Sequence, residues 1–187
     1  MGLFDVISGR SKRPANRIDQ LFAIPSAGVT LQTASEFRST GSGSVCFRGA
    51  EGPAFAQTLA DIVELLDSDD DTPVKQSHDE FGFLWLTVEQ PTLEAMATDL
   101  HAVNTGLEAQ GFADGLLCSM FAFVDNTGRK LALVYLYKKG TFYPFAPTGA
   151  RTRDNLLELQ IQKLLEHELP IEPDLSQWMA LWGAPGL

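Results

Sequence analysis

The sequence has few of the side chains from which metal sites and thiol chemistry are built. It holds two cysteines, Cys46 and Cys118, and three histidines, His78, His101 and His167. No CxxC, HExxH or paired-histidine spacing joins them, which leaves zinc without a ligand set. Each cysteine lies inside an apolar stretch, so both read as buried free thiols in a reducing compartment, with a disulfide the minority reading. The histidines read as surface or helix-end residues, His167 in the last turn of a helix where the dipole favours a cation. Basic residues are scarce as well: 14 Lys and Arg stand against 24 Asp and Glu, a net charge of −10. Such a chain repels a phosphate backbone, which speaks against nucleic acid as a partner. Long apolar runs are also missing, and no stretch approaches the ~20 residues of a membrane helix.

Other chemistries fail on spacing. Asp67-Ser68-Asp69-Asp70-Asp71 invites a calcium loop, but Thr72 and His78 stand where an EF-hand needs glycine and glutamate. A solvated acidic loop is the better reading. Gly41-Ser42-Gly43 starts like a dinucleotide loop, but Cys46 replaces the third glycine and no parallel βαβ unit surrounds it. P-loop and nucleophile-elbow patterns are absent. The residues therefore assign no catalytic group, no cofactor and no metal. An enzyme or small-ligand binder remains the alternative, and a pocket gathering His101, Asp99 and Tyr143 would favour it.

What is present is the composition of a folded protein, 44% hydrophobic and 20% charged over 187 residues, with one domain as the default. Residues 1–14 form a tail ahead of a single domain over residues 15–187. In the tail Leu3, Phe4, Val6 and Ile7 precede the basic GRSKRP, so these four are candidate membrane contacts, against the blander reading of a frayed terminus. The opening MGLFDVISGR is too short for a signal peptide, and Val6 stands where myristoylation needs Ser or Thr. A cytoplasmic protein, at most peripheral to the inner face of the membrane, is expected.

Periodicity predicts a short helix over residues 16–22 closed by Pro25, and a strand over 29–33 from the alternation of Val29, Leu31 and Thr33. STGSGS then reads as a loop, followed by strands over 44–48 and 54–57. Thr58 with Asp61 reads as the cap of a helix that buries Leu59, Ile62, Val63 and Leu66. A hairpin over 74–78 and 81–88 follows. Thr92 caps a long helix with Leu93, Met96, Leu100, Val103 and Leu107 on one face and Gly111 as its stop. Two strands joined by the turn DNTG come next, then Lys138-Lys139-Gly140 turns the chain into a shorter strand, and Thr152 caps a last helix ended by Pro170 and Pro173. The order is α-βββ-α-ββ-α-βββ-α. It predicts an α+β fold with a single antiparallel sheet and helices packed mainly on one face.

The strands carry one anomaly. Phe81, Phe83 and Trp85 alternate with Leu84, Leu86 and Val88; Leu131, Leu133, Tyr135 and Tyr137 alternate with Ala132, Val134 and Leu136. A sheet with one wet face alternates apolar and polar, and these strands do not. Both faces need cover, from helices, from the tail that bears Trp178 and Trp182, or from another protein such as a second copy. The run ALVYLYKKGTFYPFAP ends in Pro144, which cannot donate to a ladder and so marks an edge strand. Phe142, Tyr143 and Phe145 on that edge, with Lys138, Lys139, Arg151 and Arg153 nearby, make the candidate interaction surface.

Several blocks, among them LFAIPSAGVTLQTA, GSGSVCFRGAEGPAFAQT, LALVYLYKKGTFYPFAPTG and LPIEPDLSQWMALWGAPGL, resemble the actinobacterial family of PspA-associated proteins called PspAB. The resemblance spans nearly the whole chain. It implies a part in the phage-shock response, in which a PspA coat-like protein maintains a stressed membrane, and hence a PspA-type protein partner in envelope stress. It implies no catalytic residue or cofactor. Helices with short antiparallel strands are also similar to secretion-chaperone and YbjN-type modules, which bind proteins and pair as dimers, so a homodimer through the strand face is expected. From the charge, full-length protein should leave duplex DNA and RNA unshifted at physiological ionic strength, which an electrophoretic mobility assay checks.

Overall fold

A computed structural model describes residues 17–68 and 72–187. Leu3, Phe4, Val6 and Ile7, and with them the tail reading, lie outside the described residues, as do Asp69, Asp70 and Asp71 of the acidic loop. The architecture is α+β. Among the described residues four α-helices, α1 (Ile24–Ser35), α2 (Pro53–Leu66), α3 (Leu93–Ala109) and α4 (Asn155–Leu165), accompany eight strands. These are β1 (Arg38–Phe47), β2 (Lys75–His78), β3 (Leu84–Glu89), β4 (Leu116–Val124), β5 (Lys130–Leu136), β6 (Thr141–Phe145), β7 (Pro147–Gly149) and β8 (Thr152–Arg153). The first six build one sheet in the order β2-β3-β1-β4-β5-β6, antiparallel throughout, and β7 pairs with β8 as a small ribbon.

The element order differs from the expected one in the first third of the chain. Residues 29–33 are helical, inside α1. The Val-Thr-Leu alternation is real, but a longer stripe overrides it: Ile18, Leu21, Ile24, Ala27, Gly28 and Leu31 are the buried positions, spaced three and four apart, and Val29 points to solvent. Pro25 starts α1 rather than closing the helix before it, because a first-turn N–H has no intrahelical partner to lose. Residues 54–57 belong to α2, which opens at Pro53 and buries Phe55, Thr58 and Ile62; Thr58 is an interior position and not the cap. STGSGS is strand, since β1 runs through it with a register shift between Ser39 and Gly43. Thr152 lies in β8, and the cap of α4 is Asp154, whose carboxylate accepts the Leu157 N–H at 2.9 Å. Thr92 does cap α3, accepting the Ala95 N–H at 3.2 Å.

Helices cover one sheet face. Met96, Leu100, Val103 and Leu107 of α3 pack with Val45, Leu86, Phe121, Leu133 and Tyr135 in the larger core cluster. The other face is covered within the chain by residues 171–187. Trp178 and Ala184 join Trp85, Cys118, Met120, Val134, Tyr143 and Phe145 in a second cluster, with Leu181 and Trp182 against it. This resolves the two-sided strands of the sequence, and the open strand face expected for a homodimer is occupied by the chain itself. Two close approaches depend on glycine. A Cβ on Gly43 would sit 2.7 Å from Met96 Sδ, where α3 crosses β1. One on Gly115 would meet the Arg48 carbonyl oxygen at 2.7 Å, where the Arg48 N–H donates to Gly115 O at 2.8 Å. Backbone cannot yield as a thioether can. Gly115→Ala is expected to destabilise by about 1–3 kcal/mol, whereas Gly49→Ala, whose nearest contact would be 3.7 Å, stays near wild type; urea unfolding midpoints check both.

Candidate interaction surfaces

The edge strand β6 is where the sequence places a surface, and its edge position holds. Gly140 takes φ +72° to close the Lys138–Lys139 turn, its N–H donating to Leu136 O at 2.8 Å. Beyond the turn the strand is not free. The Phe142 N–H donates to Pro170 O at 2.8 Å, and Phe142 O accepts the Glu172 N–H at 2.7 Å. The outward-facing backbone of Phe142 is thus paired with the C-terminal segment, through a parallel bridge to Ile171. Pro144, two residues on, directs its missing N–H to the same outer side, where no ladder bond is lost.

The three aromatics are buried, Phe142 at 0%, Tyr143 at 1% and Phe145 at 0% exposure, which corrects the expectation of an exposed aromatic face. They serve as the seat of the C-terminal segment. Tyr143 and Trp178 stack with ring centres 6.1 Å apart, and Phe145 meets Trp182 edge-on at 5.2 Å. The Tyr143 hydroxyl donates to Met179 O at 2.9 Å, and burial pushes its pKa well above the ordinary tyrosine range.

The neighbouring cations are largely neutralised. Arg153 Nε donates to both carboxylate oxygens of Glu158, at 2.9 and 3.0 Å, and Nη1 donates to Trp178 O at 2.8 Å. Its guanidinium lies 4.9 Å from the Phe145 ring centre. Buried Glu158 also accepts the Ala146 N–H at 2.8 Å. Lys139 Nζ lies 3.5 Å from Glu172. Arg151 reaches Glu80 of the β2–β3 turn at 3.4 Å, an exposed pair of little energetic weight. Lys138 is exposed, and its carbonyl accepts Arg17 Nη1 at 2.7 Å.

Glu172 fastens the segment and was not singled out from the sequence. It is buried, and desolvation alone would raise its pKa. Hydrogen bonds from Thr141 Oγ1 at 2.7 Å and from the Asp174 N–H, with Lys139 beside it, hold it below the usual glutamate range instead. Its own carbonyl accepts Trp178 Nε1 at 3.0 Å. A glutamate between Pro170 and Pro173 in a Trp-bearing tail was the available signal. Asp125 plays a like part in the β4–β5 turn. Against its burial, bonds from Thr127 and Arg129 bring its pKa down to about 2.

Among the described residues, two larger hollows and one sheet edge stand open. The first hollow, about 910 Å³, lies over the end of the second face that the C-terminal segment leaves bare, lined by Thr40, Ser42, Lys75, Ser77, Thr87 and Glu89. The second, about 740 Å³, lies at the far end of β5, between Arg129, Lys130, Thr148, Asp154, Leu157 and Trp182. The edge is β2, whose four residues are all exposed and which pairs only with β3 among the described residues. Phe81, in the turn that follows, is 71% exposed.

The residues of the enzyme alternative do not converge. His101 Nε2 lies 2.8 Å from Asp19 and its ring packs on Phe22, Asp99 accepts from Gln90 at 2.7 Å, and Tyr143 is on the other face of the sheet. Among the described residues, no three His, Cys, Asp or Glu side chains come together as a metal site, and no helix is long and apolar enough to cross a membrane.

The fold and these surfaces define an α+β protein whose sheet has one closed edge and one edge without a partner among the described residues. Residues 1–186 match the family described as PspAB, PspA associated protein B, and the chain belongs to that family. No curated protein matches it, and neither does any solved structure.

The ionised Glu172 carboxylate is the form that the fold stabilises. Its contribution is present above the unfolded-state value of about 4.3 and is lost as pH falls through its lowered folded value. The C-terminal segment is therefore expected to loosen on acidification below about pH 4, seen as a shift in Trp178 and Trp182 emission. Glu172→Gln should remove most of that pH dependence and loosen the segment already at neutral pH.

Proposed function

We propose that the protein is a non-enzymatic protein-interaction module of a PspA-type envelope-stress (phage-shock) response, acting in the cytoplasm and at most peripheral to the inner face of the membrane. Membership of the PspAB family supports a PspA-type protein as the partner. The observation that carries the reading is the asymmetry of the sheet. Its β6 edge is closed by Ile171 and Glu172, while the β2 edge presents exposed backbone beside exposed Phe81. An open edge accepts an extended segment by strand addition. Asp67, Asp79 and Glu80 flank β2 in an acidic chain, so the segment that fits is basic. A second copy meets the same acidic flanks on its own edge, which disfavours self-pairing there.

The alternative, a small-ligand binder, draws on the 740 Å³ hollow, whose size is that of ligand sites and whose lining joins Trp182 and Leu157 to Arg129 and Lys130. A photo-crosslinker at Gln76 tests the first reading against a matched crosslinker at Lys138, in cells under envelope stress. Gln76 should capture a PspA-type protein and Lys138 should not. Capture from neither position removes the interaction reading, and capture from Lys138 alone moves the contact to the β6 end.

A further inference from the structure

Cys46 and Cys118 are register partners on adjacent strands β1 and β4, in the middle of the sheet. Both are free thiols on the face that the C-terminal segment covers, in one cluster with Trp85 and Trp178. Their exposures are 3% and 6%. Cys46 and Cys118 share one buried cluster on that face. Directly opposed residues of an antiparallel pair have Cα atoms about 4.5–5.5 Å apart, inside the ~4.4–6.8 Å that a disulfide spans. The strands therefore need little movement to bring the sulfurs to bonding distance.

The C-terminal segment keeps them from reacting. The neighbouring Cys118 and burial push the Cys46 thiol far above its ordinary value, which keeps Cys46 protonated while the face is closed. The cover itself is lightly built. Beyond one short 3-10 turn (Leu175–Gln177) and the bridge at Ile171, it is irregular. Beside the packing of Trp178 and Trp182 on Tyr143 and Phe145, its polar hold on the sheet is a few side-chain bonds, from Tyr143 to Met179 O, from Arg153 to Trp178 O and from Thr141 to Glu172. Few ladder bonds and discrete polar fasteners are the marks of a segment that opens locally.

We propose that Cys46 and Cys118 form a redox dithiol, closed to an intrachain disulfide by peroxide, and that the C-terminal segment gates the reaction. With the segment open, one thiol is solvated and ionises. Its thiolate attacks hydrogen peroxide: an S–O bond forms, the O–O bond breaks, and the departing hydroxide takes a proton to become water. The second thiol attacks the sulfenic sulfur, the S–S bond forms, the S–O bond breaks, and a second water leaves. Two thiols and one peroxide give one disulfide and two waters, the two electrons passing from sulfur to the peroxide. This site is independent of the interaction reading and does not use the β2 edge.

Intact-mass and peptide mapping of reduced full-length protein in hydrogen peroxide test it. The expected product is monomeric, lighter by two hydrogens, with the Cys46 and Cys118 peptides joined. Cys46→Ser should gain oxygen at Cys118 and form no intrachain bond. Tyr143→Phe and Glu172→Gln each remove one fastener and should speed closure by about five- to tenfold, the factor one hydrogen bond represents. Ile62→Val, a loss of similar size in the other core cluster, should leave the rate at the wild-type value. Thiols that persist, or that oxidise without joining, overturn the dithiol. Equal acceleration by Ile62→Val, or none by Tyr143→Phe and Glu172→Gln, overturns the gate.

Discussion

A sheet that is apolar on both faces constrains everything else in this molecule. Ala132, Val134, Tyr143 and Phe145 are as buried as Leu131, Leu133, Tyr135 and Phe142 on the reverse side. Four helices supply enough surface for one layer only, so a second cover is obligatory. The chain meets that need with an irregular segment rather than a helix or a strand. An irregular cover satisfies few of its own backbone groups, so side chains of the sheet must do so. Tyr143 and Arg153 donate to the segment's carbonyls, Thr141 donates to the carboxylate of its Glu172, and Glu172 in turn accepts the Asp174 N–H. The charge of Arg153 is then compensated by Glu158, a buried pair that stabilises little on its own but is costly to break from one side.

The same arrangement settles which parts of the surface are free. The aromatics and Arg153 at the β6 end are spent internally. The β2 end has hydroxyls instead: Ser44 and Thr87 share a buried hydrogen bond of 3.0 Å, and Ser42, Ser77 and Thr40 line the hollow beside them. Apolar cover thus stops where the sheet face turns polar. The polar strip wants water or a polar ligand, and it borders β2, whose outer edge in the six-stranded sheet has no partner among the described residues.

Much of this was legible in the residues. The alternation in 131–137 located both faces of β5 correctly, and Pro144 marked the edge strand. Thr92 and the 3/4 spacing through Leu107 defined α3. The misreadings share a physical cause. Val29, Leu31 and Thr33 satisfy a two-residue period and also lie on a helical stripe that begins at Ile18, and over five residues the two periods are not separable. Gly52-Pro53 could end a hairpin or start a helix, and only the burial of Phe55 and Ile62 against α3 and β1 decides it. The aromatics of β6, read from the sequence as an exposed interaction surface, are buried within the chain. Composition at a self-made seat and at an interface is the same, because the same burial drives both. The facing of Cys46 and Cys118 depends on register across 72 positions of chain, which no local pattern encodes.

The seat on β6 has a consequence for biosynthesis. Residues 171–187 follow every strand that they cover, so a growing chain completes all six strands before the lid of the second face exists. For that interval Trp85, Met120, Val134, Tyr143 and Phe145 form a bare apolar plane at the mouth of the ribosome. Burial of that plane waits on the arrival of Trp178 and Trp182.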